Sequence, residues 1–546
     1  LKKLWQWLNT KNPKQLLIET LNDAKQFEEW HAAARQLDHL LGNEIWRGFA
    51  MASEQTRKGE VKYYDFDLIE ARTNIFQDAV DKRDVLEIHN QIRAGLSRNI
   101  GGILNPKLYT KANAGTKLLI EAYVGHVSDA IKMYTDWPLT PSSPLSAQDK
   151  MNLLHDTRMA YGRTVLVLQG GSIFGLCHLG VVKAMFERNL LPRVIAGTGT
   201  GALMAAWVCV HTDDEMLECL SGDKFDLSAF AASSQRAAEE THGVGYWLWL
   251  KTLYRRARRF MNSGFVLDPQ VLEEAVHTNV GDMTFKEAYQ VTDRILNITI
   301  SPSGPGSITL LNHLTAPHVL IWSAALVSNS NDPSQNSTRL MCKDSAGTIT
   351  PYDASGIRTA RYPSYPTTPQ ESPLSRLGEL FNVDHFIVSQ ARPYIVPFLY
   401  PTLRIFKTSF LAFFTRFILQ EFQHRLRQLD ILGVLNPGIK RLLMDEIVPG
   451  PALTLVPEIR LSDWARLLRN PTTDGIDHWI ERGERSVWPS VIHLWVRIGV
   501  ELELERAYQK VRRNPAKSME ADDGPIAKPV RKRRSERTIA AGSNTG

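Results

Sequence analysis

Two apolar segments of this chain each run into a glycine-rich turn and then into an amphipathic stretch, and that repetition restricts the fold more than any other feature. The first is TVLVLQGG followed by FGLCHLGVVKAMFERN; the second is RVIAG followed by TGTGALMAAWVCV. Short buried runs that end in glycine and give way to helical periodicity read as strand, turn and helix. In the second unit Val194 and Ile195 supply an apolar strand end, and Leu203, Ala206, Trp207 and Val210 recur at i, i+3, i+4 and i+7. Further strands are expected at RILNITISP (Arg294 to Pro302) and HFIVSQ (His385 to Gln390), so strands alternate with helices from Arg163 to about Arg392. Such alternation predicts the α/β class, with a mainly parallel sheet sandwiched by helices.

The second turn, Gly197-Thr198-Gly199-Thr200-Gly201, has the layout of a G-x-S-x-G nucleophile elbow. In that motif a strand turns sharply into a helix, small flanking residues let the backbones approach, and the central serine projects its hydroxyl. The flanking glycines are present here, but Gly199 has no side chain with which to attack anything. The first turn, QGGSIFG (Gln169 to Gly175), sits directly before a helix. Backbone N–H groups at such a turn, helped by the helix N-terminus, suit an oxyanion or a phosphate. A dinucleotide site would want G-x-G-x-x-G and an acidic residue about 20 positions on, presented by a following strand. Glu187 lies inside the helix instead, which speaks against that reading.

At 546 residues the chain has room for several domains. Its formal charge of +6 is mild, and much of the excess lies in KPVRKRRSER (Lys528 to Arg537), so no nucleic-acid partner is expected. That basic run reads as a solvated disordered end, a nuclear-import signal or a contact for anionic lipid. Cys177, Cys209, Cys219 and Cys342 lack C-x-x-C spacing, which predicts a reduced intracellular protein with buried thiols and no metal or cofactor. LKKLWQWL at the start lacks the apolar core of a signal peptide, and no run of about 20 apolar residues marks a transmembrane helix. The nearest candidate is 397–422, rich in phenylalanine and punctuated by Arg404, Lys407 and Arg416. It reads equally as an interfacial segment with snorkelling cations and as an interior helix packed on the sheet domain. Four regions follow from these patterns: a helical preface over 1–161, the α/β domain over 162–395, a helical part over 396–513 and a disordered basic tail over 514–546.

Taken together, YGRTVLVLQGGSIFGLCHLGVVKAMFERNLLPRVIAGTGTGAL resembles the patatin-like phospholipase domain, in which a glycine-rich oxyanion loop precedes the elbow by one helix. The blocks APHVLIWSAALVSN, LSRLGELFNVDHFIVSQARPYIVPFL and LSDWARLLRNPTTDGIDHWIERGERSVWP resemble the fungal and plant lipid-droplet triacylglycerol lipases of that superfamily. The preface resembles the N-terminal domain that accompanies them, so the likeness runs from about Trp30 to Arg513. It implies a three-layer α/β/α sandwich flanked by helical regions, a lipid-droplet or peripheral-membrane location, and an acylglycerol or phospholipid ligand. It also implies a serine–aspartate dyad, the serine attacking the ester and the aspartate assisting its deprotonation. The serine position falls on Gly199. Counting back from SPLSRLGELFNV puts the aspartate at Tyr365 and its following glycine at Pro366. The oxyanion loop, three glycines in the family, reads Gly170-Gly171-Ser172 with Gly175 beyond it, and the proline-glycine turn after IWSAAL is replaced by VSNSNDPSQNS.

Replacement chemistry has few candidates. Thr198 and Thr200 carry hydroxyls but flank the projecting position; Ser172 would be nucleophile and loop member at once; His178 suits a structural role better than a base. His277 and Asp282 match the H-x-x-x-x-D spacing of glycerolipid acyltransferases. The plainer account is a helix C-terminal histidine and a turn aspartate capping the next helix. The sequence therefore favours a non-catalytic member of the lipase family, a binding or regulatory protein, over an active hydrolase or lysophospholipid acyltransferase that uses residues foreign to the family.

Overall fold

Strand β3 (Arg163–Gln169) is buried at every position after its first residue, a pattern that fits only a strand covered on both faces. In the computed structural model it lies inside a six-stranded sheet of order β10-β9-β3-β4-β5-β6. The structure describes residues 12–49, 53–56, 59–139, 145–226, 269–300, 310–329, 339–352, 372–392, 448–450, 452–458 and 472–513, with 228, 463 and scattered residues between 417 and 434. The Phe-rich stretch lies largely, and the basic tail wholly, outside them. Among the described residues no helix is long and apolar enough to cross a membrane.

The N-terminal region consists of α1 (Pro13–Asp23), α2 (Phe27–Leu40), α3 (Asn43–Gly48), a hairpin of β1 (Ser53–Thr56) and β2 (Gly59–Lys62), then α4 (Phe66–Asp81), α5 (Val85–Arg93), α6 (Leu118–Asp136) and α7 (Ala147–Tyr161). Sequence patterning predicts only helices here; the hairpin departs from that because its strands, SEQT and GEVK, carry almost no apolar alternation. The α/β part follows with β3, α8 (Cys177–Glu187), β4 (Val194–Thr198), α9 (Thr200–Val210), α10 (Asp213–Cys219), α11 (Pro269–Val280), α12 (Phe285–Thr292), β5 (Ile295–Thr299) and β6 (Leu310–Leu311). After it come α13 (Ile321–Asn329), a hairpin of β7 (Met341–Lys343) and β8 (Ile349–Pro351), α14 (Ser375–Phe381) and β9 (Val383–Gln390). The chain closes with β10 (Ala452–Leu455), α15 (Thr473–Val487) and α16 (Val491–Arg513).

The expected parallel strands β3, β4, β5 and β9 all form, and only β6 runs antiparallel. Strand β10 corrects the purely helical reading of 396–513, since it extends the sheet in parallel beside β9. At four residues it is too short to show a period. The pleat sends Leu166 and Leu168 into a layer shared with α8, α9, α13 and α15, and Val165 and Val167 into one shared with α14. Free thiols Cys177, Cys209 and Cys219 are buried, and Cys342 is half-buried.

Helix α16 belongs to two cores. Val491, Leu494, Ile498 and Leu502 pack into the sheet core, whereas Val496, Val500, Leu504 and Ala507 pack among α4 to α7. The two stripes lie on opposite faces because they are offset by two residues, about 200° of helical rotation. Between them Glu501 receives the Thr164 amide at 2.7 Å and the Arg98 guanidinium at 2.9 Å. Arg98 also bonds the carbonyls of Tyr161, Gly162 and Arg497, so an N-terminal side chain, the start of β3 and α16 share one buried polar knot.

Helices α8 and α15 cross at Gly180 and Gly483. A methyl at Gly483 would stand 1.9 Å from the Cys177 carbonyl oxygen, and one at Gly180 would stand 1.9 Å from that of Ile480. Gly483→Ala is therefore expected to destabilise the fold by about 1–3 kcal/mol or more, read as a lower midpoint in denaturant unfolding. Gly125→Ala, with nothing within 4 Å of the new methyl, should be neutral or stabilising by up to about 1 kcal/mol. Equal effects from the two changes would mean that the close crossing is not what demands glycine.

Candidate functional site

The register of the sheet brings the turns together. Gln169 at the end of β3 pairs with Thr198 of β4 on one side and with Gln390 of β9 on the other. Three strands thus finish abreast, about 4.8 Å apart. Gly170, Gly199 and Ala391 are the next residues of each, at the carboxyl edge where open α/β sheets bind ligands.

The elbow keeps its backbone form. Gly199 sits at φ 60°, ψ −125°, a conformation costing a residue with a side chain about 1–3 kcal/mol. Its carbonyl accepts the Ala202 amide at 3.0 Å and so starts α9. The flanking glycines are required by contact. A methyl on Gly201 would stand 2.0 Å from the Leu168 carbonyl oxygen, and one on Gly197 would stand 2.6 Å from Ala202 Cα. The turn can only be this tight if 197 and 201 lack side chains, whereas the reactive group would belong to 199.

The neighbouring loop turns through Gly170 at φ 51° and Gly171 at φ 114°, and Ser172 opens a short 3-10 turn, Ser172–Leu176. The Gly170 amide donates to the Thr198 carbonyl at 3.1 Å, tying the loop to the elbow. His178, wholly buried, closes the loop from behind: its Nε2 donates to the Gly170 carbonyl at 3.1 Å, and its Nδ1 accepts the Ser389 hydroxyl at 2.7 Å. A carbonyl only accepts, so this assignment makes the imidazole neutral. Burial holds its pKa down at about 4; the loop carbonyls push it up, and the charge of Arg392 pushes it further down. The expected structural role for His178 is what the geometry supports. Arg392, two residues beyond β9 and buried, places its guanidinium 3.0–3.2 Å from where a Gly170 methyl would be.

One contact at the elbow escaped sequence reasoning. The Gly199 amide donates to Ser328 Oγ at 3.0 Å, from the last turn of α13. Ser328 is the second residue of the segment VSNSNDPSQNS, so the altered composition pointed to the place but not to the hydroxyl. Thr198 Oγ1 lies 3.5 Å from the Leu168 carbonyl, and Thr200 Oγ1 is buried facing Gly175 with no hydrogen-bond partner. Neither threonine hydroxyl has a hydrogen bond to a histidine or a carboxylate among the described residues. Tyr365 and Pro366 lie outside the described residues.

His277 and Asp282 do meet, at 2.9 Å, and Trp322 Nε1 donates to the same carboxylate oxygen at 3.2 Å. The expected cap is corrected, because Thr284 and Glu287 form the capping box of α12 and leave Asp282 to the histidine. Both members of the pair are about half exposed. Trp322 lies in the first turn of α13 and Ser328 in its last, six residues on, so along that helix about 9 Å separates the pair from the elbow contact. The structure does not join the two.

Residues 166–331 match the patatin-like phospholipase family, and residues 7–159 match a domain of unknown function designated DUF3336. Triacylglycerol lipase ptl1 of Schizosaccharomyces pombe is 32% identical over 90% of this chain and 85% of its own length. Triacylglycerol lipase SDP1L of Arabidopsis thaliana is 30% identical over 88% of this chain, and triacylglycerol lipase 4 of Saccharomyces cerevisiae is 31% identical over 91%. The chain spans only 57% and 54% of those last two proteins. Among solved structures, the type III effector protein ExoU aligns over 64% of this chain and 61% of its own at 14% identity, with a TM-score of 0.26.

Buried imidazoles make the fold acid-sensitive. Burial lowers His178 to about 4 and His385 to about 3, and it holds His493 well below the ordinary value of 6.5. The unfolded chain binds protons at these groups from about pH 6.5 downward and the folded chain does not, so stability is full above that pH and falls below it. Unfolding free energy should drop between about pH 6.5 and 4, with His178 alone contributing on the order of 3 kcal/mol. Denaturant titrations across that window should give a shallower decline for His178→Gln; an unchanged slope would assign the sensitivity elsewhere.

Proposed function

Since the chain belongs to the patatin-like lipase family, in the subgroup of fungal and plant triacylglycerol lipases, we propose that it is a member that has lost ester hydrolysis and acts as a non-catalytic, lipid-associated or regulatory protein. The observation that carries this reading is Gly199. The backbone around it retains the form that presents a nucleophile, and the residue presented has no nucleophile. Loss of an activated serine lowers turnover in serine hydrolases by a factor of about a million, leaving only binding and oxyanion effects. Tyr365 and Pro366, at the sequence position of the aspartate and its glycine, support the same conclusion. Retention of the flanking glycines and of the His178 brace favours a scaffold still under demand for its shape.

The ligand class that accords with this reading is an acylglycerol or a phospholipid, and the setting is a lipid droplet or another membrane surface. The His277–Asp282 pair gives no comparable support to an acyltransferase, since it is half exposed and lies at the far end of α13 from the elbow.

A fluorophosphonate probe on the purified chain is expected to leave it unlabelled; specific labelling would sink the non-catalytic reading. Gly199→Ser is expected to restore no measurable hydrolysis of a triacylglycerol or p-nitrophenyl ester, and to lower stability by about 1–3 kcal/mol through its φ of 60°. Appreciable activity from that single change would place a working partner near the elbow and overturn the assignment of Tyr365.

A further inference from the structure

The short helix α3 and the end of α2 hold large apolar side chains in the open. Ile45 is 67% exposed and Phe49 66%, and Leu40, Leu41 and Leu118 are each about half exposed. This exposure does not come from a loosely held segment. Ile45 and Phe49, four residues apart, share the outer face, while Trp46 and Arg47 between them are fastened inward. Arg47 donates to the Thr116 carbonyl and to Glu121, both at 3.0 Å, and the Trp46 ring lies 4.3 Å from Nζ of the buried Lys117. That Nζ donates to the Trp46 and Phe49 carbonyls at 2.5 and 2.7 Å. Carbonyls at the end of a surface helix are ordinarily left to water. A helix end that enters lipid has no water to use, so its carbonyls must be met from within the protein. At α3 a buried lysine meets two of them.

The surroundings of this tip fit a phospholipid layer better than a protein. Helices α1 and α2 are joined by three residues and pack on each other, so the start of α1 is returned to the end of α2. That start bears the exposed Lys14 and Leu16, and the eleven residues before Asn12 read LKKLWQWLNTK, with three lysines, two tryptophans and no acid. Exposed Lys111 stands 5.3 Å from the Trp46 ring, with Glu44 of α3 the acid opposing these cations. Asp23, Glu28 and Glu29 lie at the other end of the hairpin. Lysines and tryptophans beside an apolar face match the headgroup boundary of a lipid layer. A second copy of the chain matches less well. Even at about 200 Å² for a fully exposed side chain, these five offer less than the ~800 Å² per partner that a stable protein interface takes. We infer that this tip docks the chain on a phospholipid layer, with Ile45 and Phe49 among the acyl chains and Lys14 and Lys111 at anionic headgroups. The inference rests on the lipid-associated reading above and names the surface that does the associating.

Flotation of the full chain tests this with vesicles of phosphatidylcholine, vesicles of phosphatidylcholine and phosphatidylserine, and triolein droplets coated with the same mixture. The wild type is expected to bind the mixed vesicles and the coated droplets, and to bind more weakly to phosphatidylcholine alone or in high salt, which screens the lysines. Ile45→Glu combined with Phe49→Glu should lower binding by about tenfold or more, the range for withdrawing one or two buried apolar side chains. Phe49→Leu should bind like the wild type, as should Leu217→Glu, which charges a similarly exposed leucine on α10. The double variant should unfold at the wild-type midpoint. A loss of stability there would mean that the chain's own residues cover the tip, and a wild-type dimer that the double variant dissolves would mean that a second copy does; either overturns the inference. Binding that is indifferent to phosphatidylserine and salt overturns the part given to the lysines. A double variant that floats as well as the wild type defeats only the tip, whereas a wild type that binds none of these lipids defeats the lipid-associated reading itself.

Discussion

Everything in this molecule hangs on α16 being buried twice. A helix that presents Leu494, Ile498 and Leu502 to the sheet and Val496, Val500 and Leu504 to the N-terminal helices has no solvent face along much of its length, and neither core is complete without it. Apolar stripes alone would let the two bodies slide along the helix. Register is set by the polar knot, in which Glu501 binds the Thr164 amide and Arg98 reaches the Tyr161, Gly162 and Arg497 carbonyls. Removing one member of such a knot strands a buried charge, which costs about 3–5 kcal/mol, so the arrangement is far more sensitive to loss of a partner than its net contribution suggests. A second cluster, Arg158, Arg163 and Arg193 around Glu505, repeats the device one turn further on.

The knot matters to the site because Thr164 begins β3, and β3 ends at the glycine loop. Fixing β3 from its amino end sets the height of Gln169, and pairing then sets Thr198 and Gln390 beside it. The candidate site is therefore positioned by the sheet register and braced by His178 and Ser389. Its shape is inherited from the fold and needs nothing from residue 199.

Much of this was legible in the sequence, for reasons that also explain what was not. Central strands such as TVLVL and HFIVSQ declare themselves because burial on both faces demands continuous apolar runs. Strand β10 and the hairpin Ser53–Lys62 lie at or outside the sheet edge, where short pairings carry no such demand. The elbow was readable because Gly197 and Gly201 are imposed by backbone contacts at fixed spacing. Ser328 was not, since its contact joins positions 129 residues apart and depends on where α13 ends. The H-x-x-x-x-D spacing offered His277 and Asp282 only as the less favoured alternative, which the structure nonetheless pairs, and the helix start falls to Thr284 because Glu287 three residues on completes a capping box.

Architecture and chemistry are separable at this elbow because different atoms enforce them. The sharp turn is maintained by Gly201 against Leu168 and by Gly197 against Ala202, contacts that exist whatever stands between them. A side chain at 199 adds strain, since φ is 60° there, and in a working hydrolase that strain is repaid only in catalysis. Once catalysis ceases to matter, glycine at 199 is the most stable choice, whereas glycine at 197 and 201 remains compulsory. Glycine at all three positions, 197, 199 and 201, accords with that asymmetry under the non-catalytic reading proposed above.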